Sequence, residues 1–169
     1  VVRASFNRPE LFYRVLRKED VEEQILEFVR RHAGEPGIVY RGTRKAAEAT
    51  AQGLARRGVL AVAYHAGLDD QTRRERQEAF VRDDVTVVVA TIAFGMGIDK
   101  SNVRWVVHGD LPRSLEAYYQ ETGRAARDGE PADCTLYYGP ADIAAIRWHI
   151  ERTESPVERE RAETSLRDT

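Results

Sequence analysis

Between Asp20 and His32 the apolar residues Val21, Ile25, Phe28 and Val29 recur at helical spacing, and Asp20 with Glu23 forms a capping-box-like start. The pattern predicts a helix there. Glu35-Pro36-Gly37 breaks it, and Ile38-Val39-Tyr40 is a short β-branched run of the kind buried in a parallel sheet. Thr43 is placed to cap a second helix through Ala47, Ala51 and Leu54 to Arg57, where Gly58 closes it; Val59 to Tyr64 reads as the next strand. Asp69 or Asp70 opens a helix through Gln77, Ala79 and Phe80, and the Val-rich run from Val85 to Thr91 is apolar on both faces, as a central strand must be. Val103 to His108 predicts another strand, Ser114 opens a helix through Tyr118 and Tyr119, and Cys134 to Tyr138 predicts a strand. Pro140 precedes a last helix carrying Ile143, Ile146 and Ile150. Strands alternating with helices imply right-handed crossovers and a mostly parallel sheet covered on both faces, a three-layer α/β/α fold. Ligands of such a sheet sit at the carboxyl ends of its strands, here near Arg41, His65, Ile92, Gly109 and Gly139.

The chain has 169 residues, 26 basic against 28 acidic, with a net charge of −2; this balance is that of a folded protein and excludes a uniformly basic nucleic-acid coat. Any polyanion contact must therefore come from a local cluster of donors. The single cysteine, Cys134, permits no internal disulfide, and no apolar run approaches the ~18 residues of a membrane helix. A cytoplasmic location without membrane contact is expected. The start has neither a methionine nor a leader, so a piece of something longer is expected. From Ser155 to Thr169 the chain is charged and poor in apolar residues; residues 1–150 are expected to form the domain, and 151–169 a linker or solvated helix.

A nucleotide hydrolase usually carries a phosphate-cradling G-x-x-x-x-G-K-[ST] loop, and the sequence has none. The nearest approach, Gly95-Met96-Gly97-Ile98-Asp99-Lys100, has the wrong spacing and no hydroxyl after the lysine. The parts of other hydrolases are also missing, and Cys134, inside a predicted strand, is expected to be a packing residue. Two segments remain. In Tyr118-Tyr119-Gln120-Glu121-Thr122-Gly123-Arg124-Ala125-Ala126-Arg127-Asp128-Gly129, helical spacing puts Gln120, Arg124 and Arg127 on one face, where two guanidiniums could grip phosphate oxygens. The competing reading is a solvated face on which Glu121 offsets Arg124. The loop Ala90-Thr91-Ile92-Ala93-Phe94-Gly95-Met96-Gly97-Ile98-Asp99-Lys100 presents glycines that let a phosphodiester approach backbone N–H groups, with Phe94, Met96 and Ile98 expected in the core.

These segments resemble, in order, the second RecA-like domain of the RecQ family of superfamily 2 DNA helicases. Gly37 to Arg44 is similar to motif IV, Tyr64-His65-Ala66-Gly67-Leu68 to the segment that follows it, Val88 to Lys100 to motif V, and Tyr118 to Gly129 to motif VI. Ser5-Phe6-Asn7-Arg8-Pro9 is similar to the stretch by which the family enters this domain. The resemblance covers about residues 5–150. It implies a 3′-to-5′ ATP-dependent DNA-unwinding motor used in repair and recombination, inactive without a first RecA-like domain that holds the Walker loop, Mg²⁺ and the catalytic acid. It implies that Arg127 is the arginine finger, Arg124 a second phosphate or interdomain contact and Gln120 a polar sensor, with Asp99 orienting this face or the nucleotide. It places single-stranded and tailed duplex DNA against Arg44, His65, Thr91 and Lys100, through phosphate and sugar contacts. ATP and Mg²⁺ would be held mainly by the first domain, the partner across the cleft.

Two positions depart from the family's pattern. Ala126 stands where glycine is usual, and is expected to strengthen a helix and crowd the partner domain; Arg41-Gly42 replaces the usual pair before Thr43-Arg44. The chain stops short of the family's cysteine-bearing zinc region, so no metal is expected in this domain. Two other readings stay open: half of an RNA-directed helicase of the same superfamily, and a binding module that no longer serves a motor.

Overall fold

Each helix of the described residues begins on a side-chain cap. The computed structural model describes residues 8–91 and 100–142, so Asp99, the rest of the segment 92–99, the predicted helix of Ile143, Ile146 and Ile150, and the tail from 151 onward lie outside the described residues. Asp20 accepts from the Glu23 N–H to start α1 (Val21–Arg31). Thr43 accepts from Ala46 N–H at 3.1 Å to start α2 (Arg44–Arg56), and Asp69 accepts from Thr72 N–H at 2.7 Å to start α3 (Asp70–Val81). Ser114 does the same for α4 (Leu115–Thr122) through Ala117 N–H at 3.0 Å. These bonds satisfy helix-end N–H groups that the backbone alone leaves unpaired.

The strands are β1 (Leu11–Arg17), β2 (Gly37–Tyr40), β3 (Ala61–Tyr64), β4 (Val87–Ala90), β5 (Trp105–His108) and β6 (Ala132–Tyr138). They form one sheet of order β1-β6-β5-β2-β4-β3, and every pairing is parallel. The first, β1, was not among the predicted strands; it is an edge strand with Phe12, Val15 and Leu16 exposed, so it lacks the continuous apolar run that marks β4. The chain moves along the sheet in one direction through α1 and α2, then reverses through α3 and α4. Right-handed crossovers put the helices of the two directions on opposite faces. Accordingly Ile25, Phe28, Ala47, Ala51 and Leu54 pack with Val39, Val89 and Trp105 on one face, while Phe80 packs with Ile38, Tyr40, Val88 and Val106 on the other. The fold is the three-layer α/β/α arrangement expected of a RecA-like domain.

Register aligns the strand ends. Tyr64 pairs with Ala90, Ala90 with Tyr40, Tyr40 with His108, and His108 with Leu136. The residues that follow them, Arg41, His65, Thr91 and Gly109, therefore emerge side by side at the carboxyl edge. At the other end, Gly37 lies opposite Trp105, whose fully buried indole occupies the space a β-carbon would need.

Candidate functional site

Three of the predicted DNA-contacting residues come together at the carboxyl ends of β2, β3 and β4. Arg44 opens α2 with its side chain exposed, and its guanidinium lies beside Gly67 and the His65 ring. His65 is buried and its two nitrogens are both used: Nδ1 accepts from Gly67 N–H at 3.0 Å, so Nε2 carries the proton that Glu48 Oε1 receives at 2.7 Å. Thr91, also largely buried, is tied to β3 by its N–H donating to Tyr64 O. His65 thus shapes the turn beside Arg44, and Arg44 is the exposed cation of the group.

Lys100 is not brought to this group. It is 4% exposed, with its ammonium on Asp83 Oδ1 at 2.6 Å and 5.3 Å from the centre of the Phe80 ring. Those partners lie at the turn from α3 into β4, the opposite end of the sheet from Thr91. Arg41 is likewise turned inward. Its Nε donates to Asp110 at 2.9 Å and its Nη1 to Glu22 at 2.6 Å and Thr50 at 3.0 Å. A side chain on Gly109 would collide with Arg41, so that glycine makes room for the buried guanidinium. Burial pushes the Asp110 carboxyl up, but hydrogen bonds from Arg41 and Gly42 N–H, with the charges of Arg41 and Lys18, outweigh it and hold the group below the usual carboxylate range.

The segment expected to be one helix bearing Gln120, Arg124 and Arg127 is only half helical. α4 ends at Thr122, with Gly123 as its cap, so Gln120 sits in the last turn and both arginines lie beyond it. Ala126 does not strengthen a helix: its φ of +56° is in the left-handed region, where glycine carries no steric cost. Long-range bonds override the helical pattern. Ala126 N–H donates to Val103 O at 2.9 Å, Asp128 N–H to Ser101 O at 3.0 Å, and Arg104 pairs with the Asp128 carboxylate. Arg8 adds three bonds from the other side, to the carbonyls of Gly123, Ala125 and Ala126. Alignment of the two arginines is therefore set by loop anchors and not by helical spacing.

Glu121 does not offset Arg124 on a solvated face. It is buried, and its Oε1 lies 2.9 Å from His108 Nε2. His108 stacks on Tyr40 with ring centres 4.9 Å apart and meets Tyr118 edge-on. Burial pushes the Tyr40 hydroxyl well above its usual range, opposed by the neighbouring Arg124 charge. Arg124 is half-buried beside this aromatic cluster, whereas Gln120 and Arg127 are exposed. The inward contacts of Arg8, His108 and Glu121 were not foreseen from the sequence: Arg8 stood within a quoted stretch, Glu121 was read as a surface partner of Arg124, and His108 only as the end of a strand.

A profile of the helicase conserved C-terminal domain matches residues 18–129. The chain belongs to that helicase family. Within the helicase C-terminal family its sequence sides with RecQ enzymes. It is 54% identical over 153 residues to the ATP-dependent DNA helicase RecQ of Pasteurella multocida, covering 90% of this chain and 24% of that protein. Against the Bacillus subtilis ATP-dependent DNA helicase RecQ it is 46% identical over 153 residues, covering 90% and 26%. The chain thus spans about a quarter of the length of these relatives. In fold, this helicase domain resembles the DEAD-box protein SrmB of E. coli, with a TM-score of 0.70 at 23% identity over 85% of each chain. It also resembles the C-terminal domain of the DEAD-box protein Dbp5, with a TM-score of 0.69 at 21% identity over 89% of each chain.

Proposed function

We propose that this chain is the second motor domain of a 3′-to-5′ ATP-dependent DNA helicase, serving repair and recombination, and that it works only across a cleft from a first RecA-like domain. The observation that carries the reading is the loop after α4: it holds Arg124 and Arg127 between anchored backbone positions, and it belongs to a sequence half identical to RecQ helicases. In phosphoryl transfer, negative charge spreads over the equatorial oxygens, and a guanidinium supplied from a second domain neutralises it. Arg127, exposed at the end of the loop, fills that role; Arg124 binds a neighbouring phosphate or the domain interface, and Gln120 senses the nucleotide. Asp99 is assigned, on the same reading, to orienting this face.

The donor set of two guanidiniums and an amide suits phosphate oxygens and not a cation. Among the described residues no cluster of His, Cys, Asp and Glu could hold a metal. Mg²⁺ and most of the ATP contacts are accordingly assigned to the first domain. At the strand ends, Arg44 supplies the charged contact to a single strand, with His65 and Thr91 shaping the surface; the buried Lys100 is assigned no direct DNA contact. The likeness to DEAD-box proteins, at 23% and 21% identity, concerns fold, whereas the sequence likeness is to DNA helicases. No helix among the described residues is long and apolar enough to cross a membrane.

The test is ATP turnover. The chain alone is expected to hydrolyse no ATP with or without DNA. In the full-length protein, Arg127→Ala is expected to lower kcat by about 10³ with KM for ATP little changed, because a finger acts on charge present only in the transition state. Turnover equal to the parent's would remove the assignment.

A further inference from the structure

Arg8 stands more than a hundred residues from the motif VI loop in sequence, yet its guanidinium is spent on that loop. Nη1 donates to Gly123 O at 3.3 Å, and Nη2 donates to Ala125 O at 2.8 Å and Ala126 O at 3.0 Å. Glu10 takes the remaining Nε, fixing the plane of the fork. Glu10 is itself tied to the sheet edge, since its carbonyl accepts from Ala132 N–H where β1 meets β6. The guanidinium is thus a rigid bracket between the sheet and the backbone on either side of Arg124.

The bracket closes on the one strained residue of the loop. Ala126 has φ +56° and is 1% exposed; Val103 O holds its N–H, and Arg8 holds its carbonyl. A non-glycine residue keeps such a conformation only where its surroundings over-determine it. Arg127 is the next residue, so the direction in which its side chain leaves the backbone depends on Ala126 staying in that conformation. Val103 O and Gly129 N–H also hold Ala126, at 2.9 and 3.0 Å, so loss of the bracket loosens this conformation without abolishing it, and the guanidinium of Arg127 is less firmly held in its working place.

We propose that Arg8 is a positioning residue for ATP hydrolysis, holding the backbone of Gly123 to Ala126 so that Arg127 meets the transferring phosphoryl group. The proposal rests on the arginine-finger reading of Arg127. With its guanidinium engaged by Glu10 and three loop carbonyls, Arg8 acts through the loop backbone. Its effect should appear in kcat and not in the binding of ATP, since misplacing a group that acts in the transition state leaves ground-state affinity nearly intact.

The experiment is a double-mutant cycle in the full-length protein, measuring DNA-stimulated ATP turnover for the parent, Arg8→Ala, Arg127→Ala and the double variant. Arg8→Ala is expected to lower kcat by about 10- to 100-fold with KM for ATP within a factor of about two. The double variant is expected to be no slower than Arg127→Ala alone, because the bracket has no function once the finger is gone. Arg8→Lys keeps the charge and the Glu10 pair but cannot fork across three carbonyls, so its kcat should fall between parent and Arg8→Ala. It also gives a readout if Arg8→Ala does not fold. Multiplying effects in the double variant, or a parental kcat in either Arg8 variant while Arg127→Ala is impaired, would overturn the positioning role and leave the finger standing. A parental kcat in Arg127→Ala would instead remove the finger, and the proposal with it.

Discussion

Replacing Gly37 by alanine tests how β2 and β5 are fitted together. A β-carbon built on Gly37 lies 1.9 Å from Trp105 Cε2, 2.0 Å from Cδ2 and 2.4 Å from Cζ2. Carbon atoms in contact sit about 3.5–4.0 Å apart, so the indole must retreat by about 1.5–2 Å. It has nowhere to go. Trp105 is fully buried, Phe28 meets it edge-on at 5.4 Å, and its Nε1 donates to Glu35 O at 3.1 Å. Overpacking costs about 1–3 kcal/mol, and a buried donor pulled from its acceptor about 1–3 kcal/mol more, so Gly37→Ala is expected to lose about 2–6 kcal/mol. That is a large part of the stability of an ordinary domain, about 5–15 kcal/mol. Trp105→Leu opens a cavity and should cost about 3 kcal/mol by itself. The new methyl group can occupy that cavity, so the double variant is expected to be about as stable as Trp105→Leu alone. Urea unfolding followed by circular dichroism measures all four proteins. A loss below about 1 kcal/mol for Gly37→Ala, or simple additivity in the double variant, would show that Trp105 does not dictate glycine at position 37.

Arg44→Ala in the full-length protein should weaken single-stranded DNA of every sequence alike and reduce the salt slope of binding by about one unit; anisotropy titrations at several salt concentrations decide it, and altered sequence preference would contradict a backbone contact. Asp110, whose carboxyl is held below its usual range in the fold, contributes stability in full above the unfolded carboxylate value of about 3.9 and loses it as pH falls through the lower folded value. Asp110→Asn is therefore expected to cost about 2 kcal/mol near neutral pH and little in strong acid, seen as urea midpoints that converge as pH falls. Cys134 is fully buried, and burial with the nearby Asp133 charge pushes its thiol up to about 12, so a thiol reagent should label the native protein only at the rate of unfolding. Labelling at the rate of a free thiol would place Cys134 at an accessible surface.

Features set by neighbours along the chain are legible in residue order. Asp20, Thr43, Asp69 and Ser114 cap helices because their side chains reach an N–H only three residues on. The apolar run of β4 follows from its burial on both faces, and the order of elements implied the layered sheet. The motifs were legible too, since they are contiguous strings. How those strings are held depends on contacts between distant parts of the chain. The helical spacing of Gln120, Arg124 and Arg127 fails because Val103 and Arg8 capture the backbone beyond Thr122. His65 is engaged by Glu48, Glu121 turns in to His108, and Lys100 sinks onto Asp83, each through a partner at least 13 residues away. Hydrogen bonds between residues so far apart leave no periodicity in the sequence; they exist only once parallel pairing has set the strands in register and packed the helices against them.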